Sequence, residues 1–161
     1  AKADDLGVAR RVLEIAYLDA TTELESYKKL LAKLGLTLEE AVRAEVAPTN
    51  LSYASFLIST CALGTVLEGL VATLPCFWSY AEIAQRHKDK LEGNKVELYV
   101  EWAKVYLSED YLKLVEMLKQ LIEELSSQTA DFEKLSRIFR TASRYEYMFW
   151  DMAYKLESWP V

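Results

Sequence analysis

The stretch that decides the fold class is ASFLISTCALGTVLEGLVATL, residues 54–74, a nearly continuous apolar run in the middle of the chain. A helix of this length could cross a membrane. However, Glu68 lies within the run, serines and threonines recur along it, and no basic cluster flanks it. A helix that is apolar on every side is also what the centre of a globular bundle requires. We therefore predict a central core helix and no membrane association, with Gly64 and Gly69 allowing a neighbouring helix to approach closely.

The composition is that of a chain that can fold without cross-links. Its 161 residues are 52% hydrophobic and 12% aromatic, which is too apolar for disorder and long enough to bury a core without disulfides or metals. Only five glycines and three prolines interrupt the chain, and no convincing two-residue alternation indicates a strand. No linker or repeat divides it. We therefore predict a single all-α domain over residues 1–161, built as a helical bundle.

Capping residues and helix breakers set the expected helix boundaries. In the first half we expect a helix from Leu6 to Leu34 stopped by Gly35, a short helix capped by Thr37 and ended by Pro48, and the apolar helix from about Asn50 to a break at Pro75. In the second half we expect a helix to Leu91, a turn at Gly93 and Asn94, a helix carrying Tyr99, Trp102 and Tyr106, one from Ser108 to Leu125, and a last one from Ser127 or Thr129 to Leu156.

Charge and residue counts exclude several classes of site. The net charge is -6, from 19 basic and 25 acidic side chains, and no Lys/Arg cluster offers a surface for nucleic-acid phosphates. The single histidine, His87, rules out the Glu-x-x-His pairs of a di-iron bundle, and with Cys61 and Cys76 it lacks zinc-ligand spacing. We read His87 as a solvated helix end. No metal, cofactor or nucleic acid is expected, and two cysteines without a signal-peptide pattern indicate the cytoplasm.

Cys76 is the first candidate for chemistry, within the sequence LPCFWSY at residues 74–80. Pro75 suits the first position of a helix, which would place Cys76 in the first turn, where the helix dipole favours a thiolate. Tyr80 would follow one turn later on the same face. The alternative is that Cys76 is a small core hydrophobe, as most reduced cysteines are.

Glu146 is the second candidate, because it interrupts an apolar stripe along the last predicted helix. The stripe consists of Phe132, Leu135, Phe139, Ala142, Phe149, Ala153 and Leu156. A carboxyl group in such a stripe must be hydrogen-bonded, paired or neutral, and burial raises a carboxyl pKa toward the range useful for acid–base catalysis. The alternative is a slight rotation of the stripe that lets Glu146 pair with a basic side chain at its rim.

A set of tyrosines is the third candidate feature. It comprises Tyr53, Tyr80, Tyr106, Tyr145 and Tyr147. Aromatic faces that carry hydroxyl groups suit a flat, hydrogen-bonding ligand, although core packing explains any one of them better than ligand binding does. Their value as a signal lies in their occurrence beside Cys76 and Glu146 in the sequence.

Four segments carry a resemblance to a known family. They are PTNLSY at 48–53, LPCFWSYAEI at 74–83, YVEWAKVY at 99–106 and YEYMFWDMAY at 145–154. In this order and at these separations they resemble the TenA family, also called thiaminase II, and the resemblance covers nearly the whole chain. It implies an all-α fold of the haem-oxygenase-like type without haem, assembled as a homotetramer. It also implies hydrolysis of thiamin, or of its aminomethyl-aminopyrimidine breakdown product, to hydroxymethylpyrimidine.

The resemblance also assigns roles to the candidate residues. Cys76 would be the nucleophile that adds to the pyrimidine ring, and Glu146 would handle protons on the ring or the leaving group. Tyr53 would stack on the pyrimidine, while Tyr80 and Tyr106 would hold the thiol and the ring by hydrogen bonds.

One departure from the family concerns the start of the chain. Family members begin with further helices that bring an acid and an aromatic wall to the pyrimidine, so we expect this sequence to be N-terminally incomplete relative to them. Asp4, Asp5 and Asp19 lack the aromatic context of that acid, and none is assigned its role. Two alternatives remain: a non-catalytic small-molecule-binding or regulatory bundle of the same fold, and a redox-sensing thiol protein in which Cys76 pairs with Cys61.

Overall fold

Every regular element in the computed structural model, which describes residues 2–129 and 131–161, is helical. The elements are α1 (Leu6–Lys33), α2 (Leu38–Val42), α3 (Pro48–Leu63), α4 (Val66–His87), α5 (Glu97–Tyr106), α6 (Glu109–Thr129) and α7 (Phe132–Lys155), with a short 3-10 turn at Lys88–Lys90. The predicted all-α fold class is confirmed.

The first helix begins and ends within one residue of its predicted bounds, and the second begins where its capping residue predicted. Helix α1 stops just before Gly35, whose φ of 73° is a left-handed conformation that glycine adopts without strain. Thr37 caps α2: its hydroxyl oxygen accepts from the Glu40 backbone N–H at 3.2 Å, and the Thr37 N–H donates to the Glu40 carboxylate at 2.8 Å. This reciprocal capping box fixes the start of a helix that is too short to be stable alone.

The apolar stretch differs from the prediction in two respects. It forms two helices, because α3 ends at Leu63 and α4 begins at Val66, so the single central helix was wrong. Pro75 lies inside α4 rather than at its start. A proline within a helix loses one backbone hydrogen bond, yet Pro75 and its neighbour Leu74 are buried here, and this packing holds the helix together across it. Cys76 is therefore not in a first turn.

Close helix approach at Gly69 is confirmed. A Cβ atom placed there would lie 3.2 Å from the Cys61 sulfur of α3, so the absence of a side chain on α4 makes room for α3. In the part of the chain that the structure describes, no helix is both long enough and apolar enough to span a membrane.

Other predicted boundaries shift by a few residues. Pro48 begins α3 instead of ending α2, and Asp131 caps α7 by accepting from the Lys134 N–H at 3.0 Å, in place of Ser127 or Thr129. The reason is common to both: proline and aspartate are strong helix starters, and each outcompetes a weaker signal nearby. Ser108 does precede α6 and accepts from the Tyr111 N–H at 3.3 Å, and His87 is an exposed helix end, both as predicted.

The chain divides into two compact units. Unit 1 contains Glu45–Ser79 and Leu118–Val161 with Lys2 and Ala3, and in it α3 packs against α7. Unit 2 contains Asp4–Ala44 and Tyr80–Met117, and in it α1 packs against α5. The core of unit 1 includes Leu70, Val71, Ala72, Leu74, Leu118, Leu121, Leu135 and Ala142, and that of unit 2 includes Ile15, Leu31, Ala81, Ala84, Tyr111, Leu114 and Val115. The single domain over residues 1–161 stays a prediction.

The start of α3 is held by the end of the chain. Ala47, at the N-cap of α3, gives no side-chain cap, and the buried Thr49 instead donates from its backbone N–H to Glu157 at 2.9 Å. Its hydroxyl donates to the other Glu157 oxygen at 3.1 Å, and the Trp159 indole donates to the Val46 carbonyl at 2.9 Å. A carboxylate at a helix N-terminus is also favoured by the helix dipole. These contacts fix α3 within unit 1.

At the junction between α3 and α4, we expect a substitution of Gly64 to lower stability. A Cβ atom there would lie 2.6 Å from the Thr60 carbonyl oxygen, so the end of α3 must shift to admit alanine. We expect Gly64→Ala to lower the free energy of unfolding by about 1–3 kcal/mol, as overpacking does. Urea denaturation followed by circular dichroism measures it.

Gly93→Ala is the matched control. Nothing lies within 4 Å of a Cβ at Gly93, so its replacement should be neutral or stabilise the chain by up to about 1 kcal/mol through the unfolded state. Equal losses in the two variants would contradict the crowding at Gly64.

Candidate active site

Glu146 lies in the core of unit 1. The residue is 4% exposed on α7, as the predicted stripe indicated, so Glu146 does not lie at the rim of the stripe. Tyr53, on α3 and 6% exposed, donates its hydroxyl proton to Glu146 Oε1 at 2.5 Å. A buried carboxyl group without such a donor would be costly, so this hydrogen bond is what makes the position tenable.

The stripe that contains Glu146 is shorter than predicted. Leu135 and Ala142 are buried, but Phe132, Ala153 and Leu156 are exposed. The three exposed residues lie in the first and last turns of α7 or just beyond it. The spacing of apolar residues therefore predicts the buried face of α7 correctly, but the buried part of that face is shorter than the predicted stripe.

The Tyr53 ring is fixed on one face by a second tyrosine. Tyr145, next to Glu146 on α7, stacks on Tyr53 with ring centroids 5.3 Å apart and planes 9° from parallel, and Phe56 packs against Tyr145 at 5.4 Å. The hydroxyl bond and the stack together fix both the position and the tilt of Tyr53. Tyr147, by contrast, is 76% exposed and does not belong to this cluster.

Cys76 presents an exposed thiol in the interior of α4. It is therefore not the buried core hydrophobe that the alternative interpretation required. It is also not placed where the helix dipole could activate it, because that effect is confined to the first turn and α4 begins at Val66. The Cys76 thiol is thus accessible to solvent. The prediction that the helix dipole would activate it was wrong.

Tyr106 is the centre of an aromatic cluster in unit 2. It is 5% exposed, and its ring lies 4.9 Å from Tyr80, 5.1 Å from Trp102 and 5.0 Å from Tyr111. Its hydroxyl donates to Glu23 Oε1 on α1 at 3.0 Å. Burial, and then the charge and hydrogen bond of Glu23, raise the pKa of the Tyr106 phenol above its usual range. Tyr106 therefore stays protonated at neutral pH.

Asp19 is a second, partly buried acid, which the sequence argument missed. It precedes Glu23 by one turn of α1, and its Oδ1 is shielded from solvent without a hydrogen-bond partner among the described residues. Burial, followed by the hydrogen bond and the charge of Glu23, raises the pKa of Asp19 from 3.8 to about 6. The signal was available, because Ile15, Asp19 and Glu23 follow one another at four-residue spacing on the buried face of α1.

The candidate residues thus form two groups. Unit 1 holds Cys76, Tyr53 and Glu146, and unit 2 holds Tyr80 and Tyr106. The described contacts join Tyr53 to Glu146 and Tyr80 to Tyr106. Among the described residues, no cluster of three or more His, Cys, Asp or Glu side chains could hold a metal ion.

The hydrogen bond between Tyr53 and Glu146 predicts a measurable effect on the stability of the chain. Tyr53→Phe removes the hydroxyl donor from a buried carboxyl group, and we expect it to lower the free energy of unfolding by about 1–3 kcal/mol. Tyr145→Phe is the control, since it removes a hydroxyl from the stacked partner and leaves both rings in place. Denaturation midpoints measure both, and a loss from Tyr145→Phe as large as that from Tyr53→Phe would contradict this role for the bond.

Comparison with known proteins identifies the family. The sequence model of the TENA/THI-4/PQQC family matches residues 1–156. An aminopyrimidine aminohydrolase of Halalkalibacterium halodurans is 32% identical over 160 residues, which is 98% of this chain and 71% of the relative. One from Helicobacter pylori is also 32% identical, over 96% of this chain and 72% of the relative. A solved TenA homologue from P. horikoshii OT3 is 46% identical with a TM-score of 0.88, covering 96% of this chain and 71% of that one. The chain therefore belongs to the TENA/THI-4/PQQC family, as its four motifs indicated.

Proposed function

We propose that this chain is a hydrolase of thiamin salvage that cleaves thiamin or its aminomethyl-aminopyrimidine breakdown product to hydroxymethylpyrimidine. The observation that carries the proposal is the buried Glu146 carboxyl group held by Tyr53 at 2.5 Å, in a family member whose relatives include aminopyrimidine aminohydrolases. A fixed, water-shielded carboxyl group is suited to moving a proton to and from a heteroaromatic ring.

The reaction needs a nucleophile, because an amine on the side arm of an aromatic ring is a poor leaving group. Addition of the Cys76 thiolate to a ring carbon would form a C–S bond and interrupt the aromaticity. The electron pair returned by the ring would then expel the amine, which leaves with a proton. Water would take the place of the amine, and cleavage of the C–S bond would restore both the ring and the thiol. The exposure of Cys76 supports this role, since a substrate can reach it.

The aromatic residues would bind the flat ring. Tyr53 would stack on the pyrimidine, as the family resemblance assigns, with Tyr145 stacked against it within unit 1. Tyr80 and Tyr106 would hold the thiol and the ring by hydrogen bonds, as the family resemblance assigns. A thiol nucleophile also requires a reducing compartment, which supports the expected cytoplasmic location.

The chain also carries apolar surface suited to contact between copies. In unit 1, Ile58, Leu63, Tyr147 and Tyr154 are between 69% and 88% exposed. Large exposed apolar side chains of this kind are typical of protein–protein interfaces. We include in the proposal the homotetramer that the resemblance implies.

The nucleophile assignment is tested with the two cysteines of the chain. We expect Cys76→Ala to abolish hydrolysis of the aminomethyl-aminopyrimidine, because it removes the covalent route itself. Cys61→Ala is the control, since Cys61 is also an exposed thiol and packs on Gly69. Release of hydroxymethylpyrimidine, followed by chromatography, is the measurement. Equal rates in the two variants would remove Cys76 from the mechanism, and binding without turnover by the unmodified chain would favour the non-catalytic alternative.

The proton-transfer role of Glu146 is tested by an amide of the same shape. Glu146→Gln keeps an oxygen that can accept from Tyr53 but cannot transfer a proton, so kcat should fall by about 100- to 10,000-fold with little change in stability. Glu133→Gln, an exposed carboxylate on the first turn of the same helix, is the control. A kcat for Glu146→Gln within a few-fold of the Glu133→Gln value would refute the role.

A further inference from the structure

A pair of acids on α1 has no part in the proposed chemistry. Glu23 Oε1 accepts the Tyr106 hydroxyl proton at 3.0 Å, and Asp19, one turn earlier, is hydrogen-bonded to Glu23 through its carboxyl group. Two neighbouring carboxylates repel each other in a site partly shielded from water, and burial together with the hydrogen bond and charge of Glu23 raises the pKa of Asp19 from 3.8 to about 6. Asp19 therefore keeps its proton to a higher pH than an ordinary aspartate does, and below about pH 6 it can donate that proton to Glu23.

The groups that face the pair come from three helices of unit 2. Tyr106 reaches it from α5, and behind Tyr106 lie the Tyr80 phenol of α4 and the Trp102 indole of α5. Where α1 meets α5, Lys33 and Glu101 pair with each other near the last turn of α1. The described ring contacts of Tyr106 are thus with other aromatic side chains.

These contacts orient the Tyr106 hydroxyl. A phenol has one proton to donate, and that of Tyr106 is committed to Glu23. The Trp102 side chain is hydrogen-bonded to the same phenol, and because an indole N–H is only a donor, it must donate to the Tyr106 oxygen. One lone pair of that oxygen remains. Tyr106 can therefore bind a further group only as a hydrogen-bond acceptor.

We propose that Asp19 and Glu23 are positioning residues that hold the Tyr106 proton toward α1, so that the Tyr106 oxygen accepts a hydrogen bond from an N–H group of the substrate. The proposal rests on the proposed function for the identity of the substrate, an aminopyrimidine. It adds a reason for selectivity: a ring with an amino group is accepted, while an analogue with a carbonyl oxygen at the same place would face the Tyr106 lone pair.

The kinetic test compares three variants on α1. Glu23→Leu leaves the Tyr106 proton without its acceptor, and we expect KM for the aminomethyl-aminopyrimidine to rise by about threefold to tenfold with a smaller change in kcat. Glu23→Gln should restore most of the affinity, because Asp19 attracts the new NH2 group and leaves the amide oxygen facing Tyr106. Glu25→Gln is the control, since Glu25 is exposed and pairs with Lys28. An unchanged KM in Glu23→Leu, or no restoration by Glu23→Gln, would overturn the proposal.

A second measurement needs no turnover and no destabilising variant. In the unmodified chain, carbon-13 NMR of the labelled aspartate carboxyl groups should show Asp19 titrating at about pH 6 instead of near 3.8. In Glu23→Gln its pKa should fall, because the charge of Glu23 is gone. An ordinary pKa for Asp19 in the unmodified chain would refute the interaction of the two acids. This result stands even if no aminopyrimidine is hydrolysed, so the failure of the proposed function and the failure of the acid pair are distinguishable.

Discussion

The burial of the Glu146 carboxyl group is the constraint on which the arrangement of unit 1 depends. At 4% exposure the group has lost its water, and the Tyr53 hydroxyl at 2.5 Å replaces part of that solvation. This bond exists only if α3 and α7 pack in one register, because a displacement by one residue would turn either side chain away. The Glu157 contact at the start of α3 and the Tyr145 stack fix that register from both sides.

Unit 2 also combines an acid with a phenol, but its acids are only partly buried. There the acceptor Glu23 has a second acid, Asp19, beside it. Because the folded-state pKa of Asp19, about 6, exceeds its ordinary value of 3.8, the folded chain binds more protons than the unfolded chain between those values. The contribution of Asp19 to stability is therefore fully present below about pH 4 and is lost as the pH rises through 6. A side chain whose stabilising contribution is lost at neutral pH is typical of a residue that is retained for function rather than for stability.

Local signals predicted much of the fold and part of the candidate site. The capping box at Thr37 and the glycine at residue 35 each act over a few residues, so both were read correctly, as was the burial of Glu146 from the period of α7. Pro75 was misread because its local preference for a helix start was outweighed by burial within α4. The Glu23–Tyr106 bond joins residues on helices far apart in sequence, and nothing local to either residue specifies its partner.

The position of Cys76 changes what must activate it. A thiol in a first helical turn would owe part of its acidity to backbone N–H groups, but α4 begins at Val66, more than two turns before Cys76. The backbone amides around Cys76 are already committed within the helix. Stabilisation of a thiolate must therefore come from side chains or from the substrate itself. If Cys76 is the nucleophile, its reactivity depends on an assembled site with the ring in place, because α4 alone does not supply it.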